Sequence, residues 1–282
     1  MRAAKHAPLG AGLPAGGGAR VMKTRALGKV YLVGAGPGAA DLLTLRAARV
    51  LAEADVVFHD ALVHSDVLAV ASRAERIAVG KHCGKHSTAQ RFINKRLVDA
   101  AAKHRVVVRL KGGDPMLFGR AQEELDALRE AGIGVEVVPG VTAALAAAAD
   151  LGVSLTRRGL SRNVVFVTPR AGDGEPANDW AAAVARADTA VIYMGAGEAA
   201  AITAALLARG KPSTLPVVVV ENASLPESRR WLTTLGALPG LADEAFRGPV
   251  LLLLGEVFAS AAGQAEAQVD LLPVAQAYLR RA

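Results

Sequence analysis

From Lys29 onward, short β-branched runs alternate with Ala- and Leu-rich stretches, and this alternation constrains the fold more than any other feature of the chain. Val30 to Val33, Ala54 to Phe58, Arg76 to Val79, Val106 to Leu110 and Val135 to Val138 read as strands. Asp41 to Ala52 reads as a helix, with Leu42, Leu45, Ala48 and Leu51 recurring every third residue. Thr88 to Lys103 reads as a helix capped by Ser87 or Thr88. Ala121 to Ala131 reads as another, stopped at Gly132. The second half repeats the style. Strands are expected at Asn163 to Thr168, Thr189 to Tyr193, Leu215 to Val220, Arg229 to Thr234 and Val250 to Leu254. Helices are expected at Trp180 to Ala187, at Glu198 to Ala208 and, as a short piece, at Leu241 to Phe246. Alternating strands and helices imply α/β layers. The Pro139-Gly140 break divides them, so two α/β domains are expected, residues 28–139 and 140–258, meeting in a cleft.

Length agrees: 282 residues fit one large or two modest domains. Cys83 is the sole cysteine, which excludes an internal disulfide framework and points to a reducing compartment, hence the cytoplasm. No run of about 18 apolar residues suggests a membrane span. The net charge of +7 is unevenly placed. Arg2, Lys5, Arg20, Lys23 and Arg25 stand in the first 28 residues without an acid, and the rest carries 28 basic against 26 acidic groups. A near-neutral body with 4% aromatics argues against a nucleic-acid partner. Residues 1–27, rich in Ala, Gly and Pro, read as a disordered extension in which Met22 is an alternative start. Residues 259–282 read as a tail with one more amphipathic or frayed helix.

Two glycine loops carry the chemistry. Gly34-Ala35-Gly36-Pro37-Gly38-Ala39 follows the first strand and, read loosely, matches the dinucleotide fingerprint, with Asp55 or Asp60 further on. Pro37 removes a backbone donor where a pyrophosphate would need one, so a nicotinamide enzyme is the weaker reading, beside that of a turn without a ligand. Lys111-Gly112-Gly113-Asp114-Pro115 leaves the Val106 strand at the end where an open α/β sheet binds ligands. Asp114 is placed either to accept from a ribose hydroxyl or to attract a cation; the alternative is a local Asx turn.

Taken in order, three segments resemble the tetrapyrrole methylases, the class III S-adenosylmethionine methyltransferases. They are Val33 to Gly38 with Leu43-Thr44-Leu45, Arg109 to Pro115, and Val138 to Ala143. Phe118-Gly119-Arg120 with Glu123-Glu124, Tyr193-Met194-Gly195 and Glu221-Asn222-Ala223 are similar to the branch acting on uroporphyrinogen III. The resemblance spans about residues 28–257. It implies a homodimer of two-domain chains that methylates C2 and then C7 of uroporphyrinogen III to give precorrin-2, toward siroheme and cobalamin. It places S-adenosylmethionine against Pro37, Gly112, Gly113, Asp114, Thr142, Ala143, Met194 and Ala223. It places Asp60, Arg120 and Glu123 at the reacting centre and Arg158 on the substrate. An octacarboxylate substrate calls for cleft cations, so Lys111 and Arg157 join Arg158 as substrate contacts, with Arg162 nearby.

Ala61, Ala121-Gln122, Arg157 and Pro169-Arg170 depart from the family pattern, which keeps two alternatives open. One is a methylase of a later precorrin; the other is a paralogue that binds without turnover. His82-Cys83-Gly84-Lys85-His86 offers at most three ligands beside a lysine, and no metal is expected. With 29 residues ahead of Val30, no fused dehydrogenase–chelatase module is expected either. A chain shortened to begin at Lys29 is expected to keep its thermal unfolding midpoint and its turnover; a large loss of either would show that the extension docks.

Overall fold

The computed structural model describes residues 27–79, 86–171, 178–241 and 246–263. The extension before Leu27 and the tail after Gly263 lie outside them, as do residues 80–85, which hold His82 and Cys83. In the first half, β1 (Lys29–Gly34), β2 (Val56–His59), β3 (Glu75–Ala78), β4 (Val106–Lys111) and β5 (Val135–Val138) form a sheet in the order β3-β2-β4-β1-β5. All its pairings are parallel. Helices α1 (Leu45–Glu53) and α2 (Ser65–Val70) cover one face, and α3 (His86–Ala101) and α4 (Ala121–Glu130) the other. Strand periodicity explains the division: Val30, Leu32 and Val107 pack with α3 and α4, and Val33, Val108 and Leu110 with α1 and α2. The chain leaves β1 toward β2 but leaves the adjacent β4 toward β5. The two loops therefore diverge and open a crevice at the strands' carboxyl ends.

The second half contributes α5 (Ala143–Leu151), β6 (Val164–Val167), α6 (Trp180–Arg186), β7 (Thr189–Tyr193), α7 (Ala199–Leu207), β8 (Pro216–Glu221), β9 (Arg229–Thr234) and β10 (Val250–Gly255). Its sheet runs β6-β7-β10-β8-β9, parallel between β6 and β7 and antiparallel elsewhere. Ala144, Ala147 and Leu151 of α5 pack on Val191, Val218 and Leu253, and α6 and α7 cover the opposite face.

The strands fall within two residues of expectation, but several helices differ. Asp41 belongs to a separate 3₁₀ turn, Ala40–Leu42, and α1 starts only after Thr44, whose hydroxyl accepts from the Ala47 N–H at 3.1 Å. Leu45 is 85% exposed, so the buried stripe runs through Ala47 and Leu51 and not through the three-residue recurrence. Helix α3 begins at His86, so neither Ser87 nor Thr88 caps it. The short piece near Leu241 is a 3₁₀ turn at Leu238–Leu241, and residues 242–245 lie outside the described set. Helices α2 and α5 were not expected. The Gly28 N–H donates to the Ala101 carbonyl at 2.7 Å, which moves the proper truncation point from Lys29 to just ahead of Leu27.

Three backbone segments meet at the crevice. A Cβ on Gly34 would lie 2.6 Å from Gly140 Cα and 2.7 Å from the Gly113 carbonyl oxygen, and one on Gly140 would run into that same oxygen. Gly140→Ala is expected to cost about 2–3 kcal/mol in urea unfolding, because the contacted atoms are backbone and have no rotamer to change; a cost below about 0.5 kcal/mol would mean that the loops part freely.

Candidate active site

The carboxyl ends of β1, β4 and β5 form one wall. Gly36 and Gly113 exchange backbone hydrogen bonds at 2.7 and 3.2 Å, locking the two glycine loops together. Gly113 sits at φ +67°, a conformation that favours glycine. Asp114 has both oxygens engaged: one accepts from the Met116 N–H at 2.8 Å and the other from the Gly140 N–H at 2.9 Å. Its carboxylate therefore shapes the loop as an Asx turn and clamps the segment after β5.

The second sheet supplies the facing wall. Met194 follows β7 at φ 57°, and Asn222 and Ser224 flank Ala223 after β8 at φ 53° and 71°. Left-handed non-glycine residues cost energy and cluster at binding sites, and these stand where both strands reach the crevice. Contacts bridge the walls. Ser224 Oγ accepts from the Ala39 N–H at 3.1 Å, and the Phe118 ring meets that of Tyr193 at 5.1 Å between centroids. Tyr193 reaches the start of α5, its hydroxyl 2.6 Å from Thr142 Oγ1 and 3.2 Å from the Ala144 nitrogen. Burial pushes the Tyr193 phenol up, so it is a neutral hydrogen-bonding group at ordinary pH.

Beneath the Gly112 loop lies a buried charge network. Arg109, 2% exposed, donates from Nη2 to Asp60 Oδ1 at 2.5 Å and from Nε to Glu124 Oε1 at 3.1 Å. Lys111 Nζ and Gln90 Nε2 donate to the same Glu124 oxygen, each at 3.0 Å. Burial, with the Arg109 charge second, pushes the Lys111 ammonium down from its ordinary range. Asp60 is one-third exposed at the end of β2, and its second oxygen has no hydrogen-bond partner among the described residues. Arg120 caps α4 in a left-handed conformation at φ 52° and makes a two-pronged pair with Glu123 at 2.6 and 2.8 Å.

Two sets of expected substrate contacts are displaced. Lys111 spends its charge inside on Glu124 and does not present it to the crevice. Arg157 and Arg158 are exposed in the loop after α5. That loop is pinned beside the amino end of β7: Arg157 pairs with Ser161, whose hydroxyl is 2.9 Å from Thr189 Oγ1, and the Arg162 N–H donates to Asp188. Met194 follows the opposite end of that five-residue strand, about 16 Å away at ~3.3 Å per residue. Within one chain these arginines are not at the crevice. Conversely, Arg109, Glu124 and Tyr193 were quoted in the motifs without being assigned a role. The overlooked signal was Val107, Arg109 and Lys111 alternating along a buried strand, which puts both cations on one inner face.

A fully parallel sheet and a mixed sheet whose loops meet at one crevice define a two-sheet α/β architecture. Residues 29–239 match the tetrapyrrole (corrin/porphyrin) methylases, and the chain belongs to that family. It is 47% identical over 234 residues to siroheme synthase 1 of Yersinia pseudotuberculosis, covering 83% of this chain and 49% of that protein. It is 46% identical over 232 residues to siroheme synthase of Chromobacterium violaceum, covering 82% and 49%. The chain thus spans about half the length of the curated relatives it matches. Among solved structures it resembles uroporphyrin-III C-methyltransferase of Thermus thermophilus complexed with S-adenosylhomocysteine. The TM-score is 0.71 at 44% identity, over 82% of this chain and 98% of that one. It also resembles cobalt precorrin-4 methyltransferase, with a TM-score of 0.72 at 28% identity, over 81% and 95%.

Gly113→Val is expected to abolish S-adenosylhomocysteine binding in calorimetry, because a β-branched residue at φ +67° must move the loop; unchanged affinity would detach this loop from the cofactor.

Proposed function

We propose that this chain transfers methyl groups from S-adenosylmethionine to C2 and then C7 of uroporphyrinogen III, giving precorrin-2. The observation that carries this reading is the convergence of Gly112 to Asp114, Thr142, Met194 and Ala223 on one crevice beside Asp60. The likeness to the Thermus enzyme over nearly all of its length supports it. The residues fit the cofactor: glycine backbone on one wall and left-handed backbone on the other leave main-chain groups to hold a ligand, and Pro37, Ala143 and Ala223 add small surfaces. Asp114 serves by shaping that cradle.

When bound, the sulfonium supplies an electrophilic methyl group. The chain's part is to orient the macrocycle, anchor its carboxylates and take up a proton. Asp60 suits the last role, because Arg109 holds one of its oxygens in place and the other is without a protein partner among the described residues. Glu123 is the weaker acceptor, since both its oxygens already face Arg120. Arg120 anchors a substrate carboxylate and stabilises developing charge, exchanging Glu123 for the ligand.

In this reading the chain divides into domains 28–139 and 140–258, which α5 supports by packing its buried alanines on the second sheet. It acts as a cytoplasmic homodimer without nucleic acid. Exposed Leu145 and Leu160 supply apolar surface for a second copy, and light scattering at twice the chain mass is the expected result. Among the described residues no helix is long and apolar enough to cross a membrane.

Incubation with S-adenosylmethionine and freshly generated uroporphyrinogen III is expected to yield precorrin-2; binding without methyl transfer would favour the noncatalytic paralogue, and activity confined to a later precorrin the other alternative. Arg120→Lys is expected to lower methyl transfer by about 100-fold, since the planar fork is lost, while S-adenosylhomocysteine affinity holds within about two-fold. Near-normal turnover would remove Arg120 from the mechanism.

A further inference from the structure

Glu124 is fully buried, and one of its oxygens accepts from Arg109, Lys111 and Gln90 while the other has no partner among the described residues. Such lopsided use is poor economy for stability. A buried carboxylate carries a desolvation penalty of several kcal/mol, and apolar residues of similar volume often replace buried ion pairs without loss. What the arrangement does secure is geometry. The guanidinium of Arg109 is a rigid plane with Nε on Glu124, Nη1 on the Leu110 carbonyl at 3.1 Å and Nη2 on Asp60. Fixing Nε therefore fixes where Nη2 meets Asp60. Glu124 also anchors Lys111, whose ammonium feels the charge of Asp60 as well.

From this we infer that Glu124 is a positioning residue for methyl transfer: it aims Arg109 at Asp60 and keeps Lys111 from forming a second ion pair there. The inference rests on the reading of Asp60 as proton acceptor. If Glu124 lost its charge, Lys111 would turn toward Asp60. Two cations would then hold one carboxylate and leave less of it open to a substrate proton.

The test uses the full chain with S-adenosylmethionine and uroporphyrinogen III. Glu124→Gln keeps the side-chain shape and is expected to lower kcat by about 30-fold, with KM for S-adenosylmethionine and S-adenosylhomocysteine affinity within about two-fold. In an Asp60→Asn background the same change is expected to cost less than about two-fold more, since its target is gone. Lys111→Met combined with Glu124→Gln removes one charge of each sign and is expected to recover kcat to within about five-fold of the parent. This pair also carries the test if Glu124→Gln alone does not fold. Losses that multiply in the Asp60→Asn background, a parallel loss of cofactor affinity, or no recovery on removing Lys111 would each overturn the inference. If Asp60→Asn itself turns over normally, the acceptor reading fails instead, and that outcome is separately visible.

Discussion

Glycine backbones at Gly34, Gly113 and Gly140 approach one another so closely that a single Cβ at Gly34 or Gly140 would collide with main chain. That approach lets the ends of three neighbouring parallel strands converge instead of fanning out with the sheet's twist. Once they converge, the Gly36–Gly113 backbone pair and the Asp114–Gly140 bond close the crevice floor, and α5 starts from its rim. The glycines thus serve packing between loops as much as approach to a ligand, which is why the first loop looks like a dinucleotide fingerprint without working as one. Its helix starts late, after Thr44, and its N-terminus is not aimed from the glycine turn.

Charge is placed with the same economy. The chain after the first 28 residues is nearly neutral, yet two cations and a carboxylate lie buried beneath the Gly112 loop and reach the crevice only through Asp60. Net charge could not have disclosed this, because the burial of opposite charges leaves the total unchanged. Of the expected site cations, Arg120 stays partly exposed while Lys111 is buried on Glu124.

Strands were legible because a run such as Val106 to Leu110 is buried on both faces and advertises itself by composition. Helix α5 was not. Its alanines are buried on several sides, so no polar face gives a period, although Ala propensity and Gly152 at φ 64° beyond its end were both available as signals. Asp60, Arg120 and Glu123 were singled out only through the resemblance; in the structure the last two form an i, i+3 pair. The placement of Arg157 and Arg158 was not legible, because adjacency in sequence says nothing about which end of a sheet a loop occupies. Only the pinning of Ser161 beside Thr189 decides that.

Tyr193 explains why the two sheets and the site are one problem. Thr142 is the N-cap of α5, but its side chain makes no capping bond within the helix. The cap comes from the second sheet: the Tyr193 hydroxyl accepts from the Ala144 N–H and faces Thr142 Oγ1. On the other side, Asp114 holds the Gly140 N–H. Residues 140–144 are therefore gripped by the first sheet at one end and the second sheet at the other. Phe118 against Tyr193, and Ser224 against Ala39, add parallel ties. Rotation of one sheet against the other would pull on the Phe118–Tyr193 and Ser224–Ala39 ties and on the 140–144 segment held between the sheets. The separation of the walls is held by these few contacts.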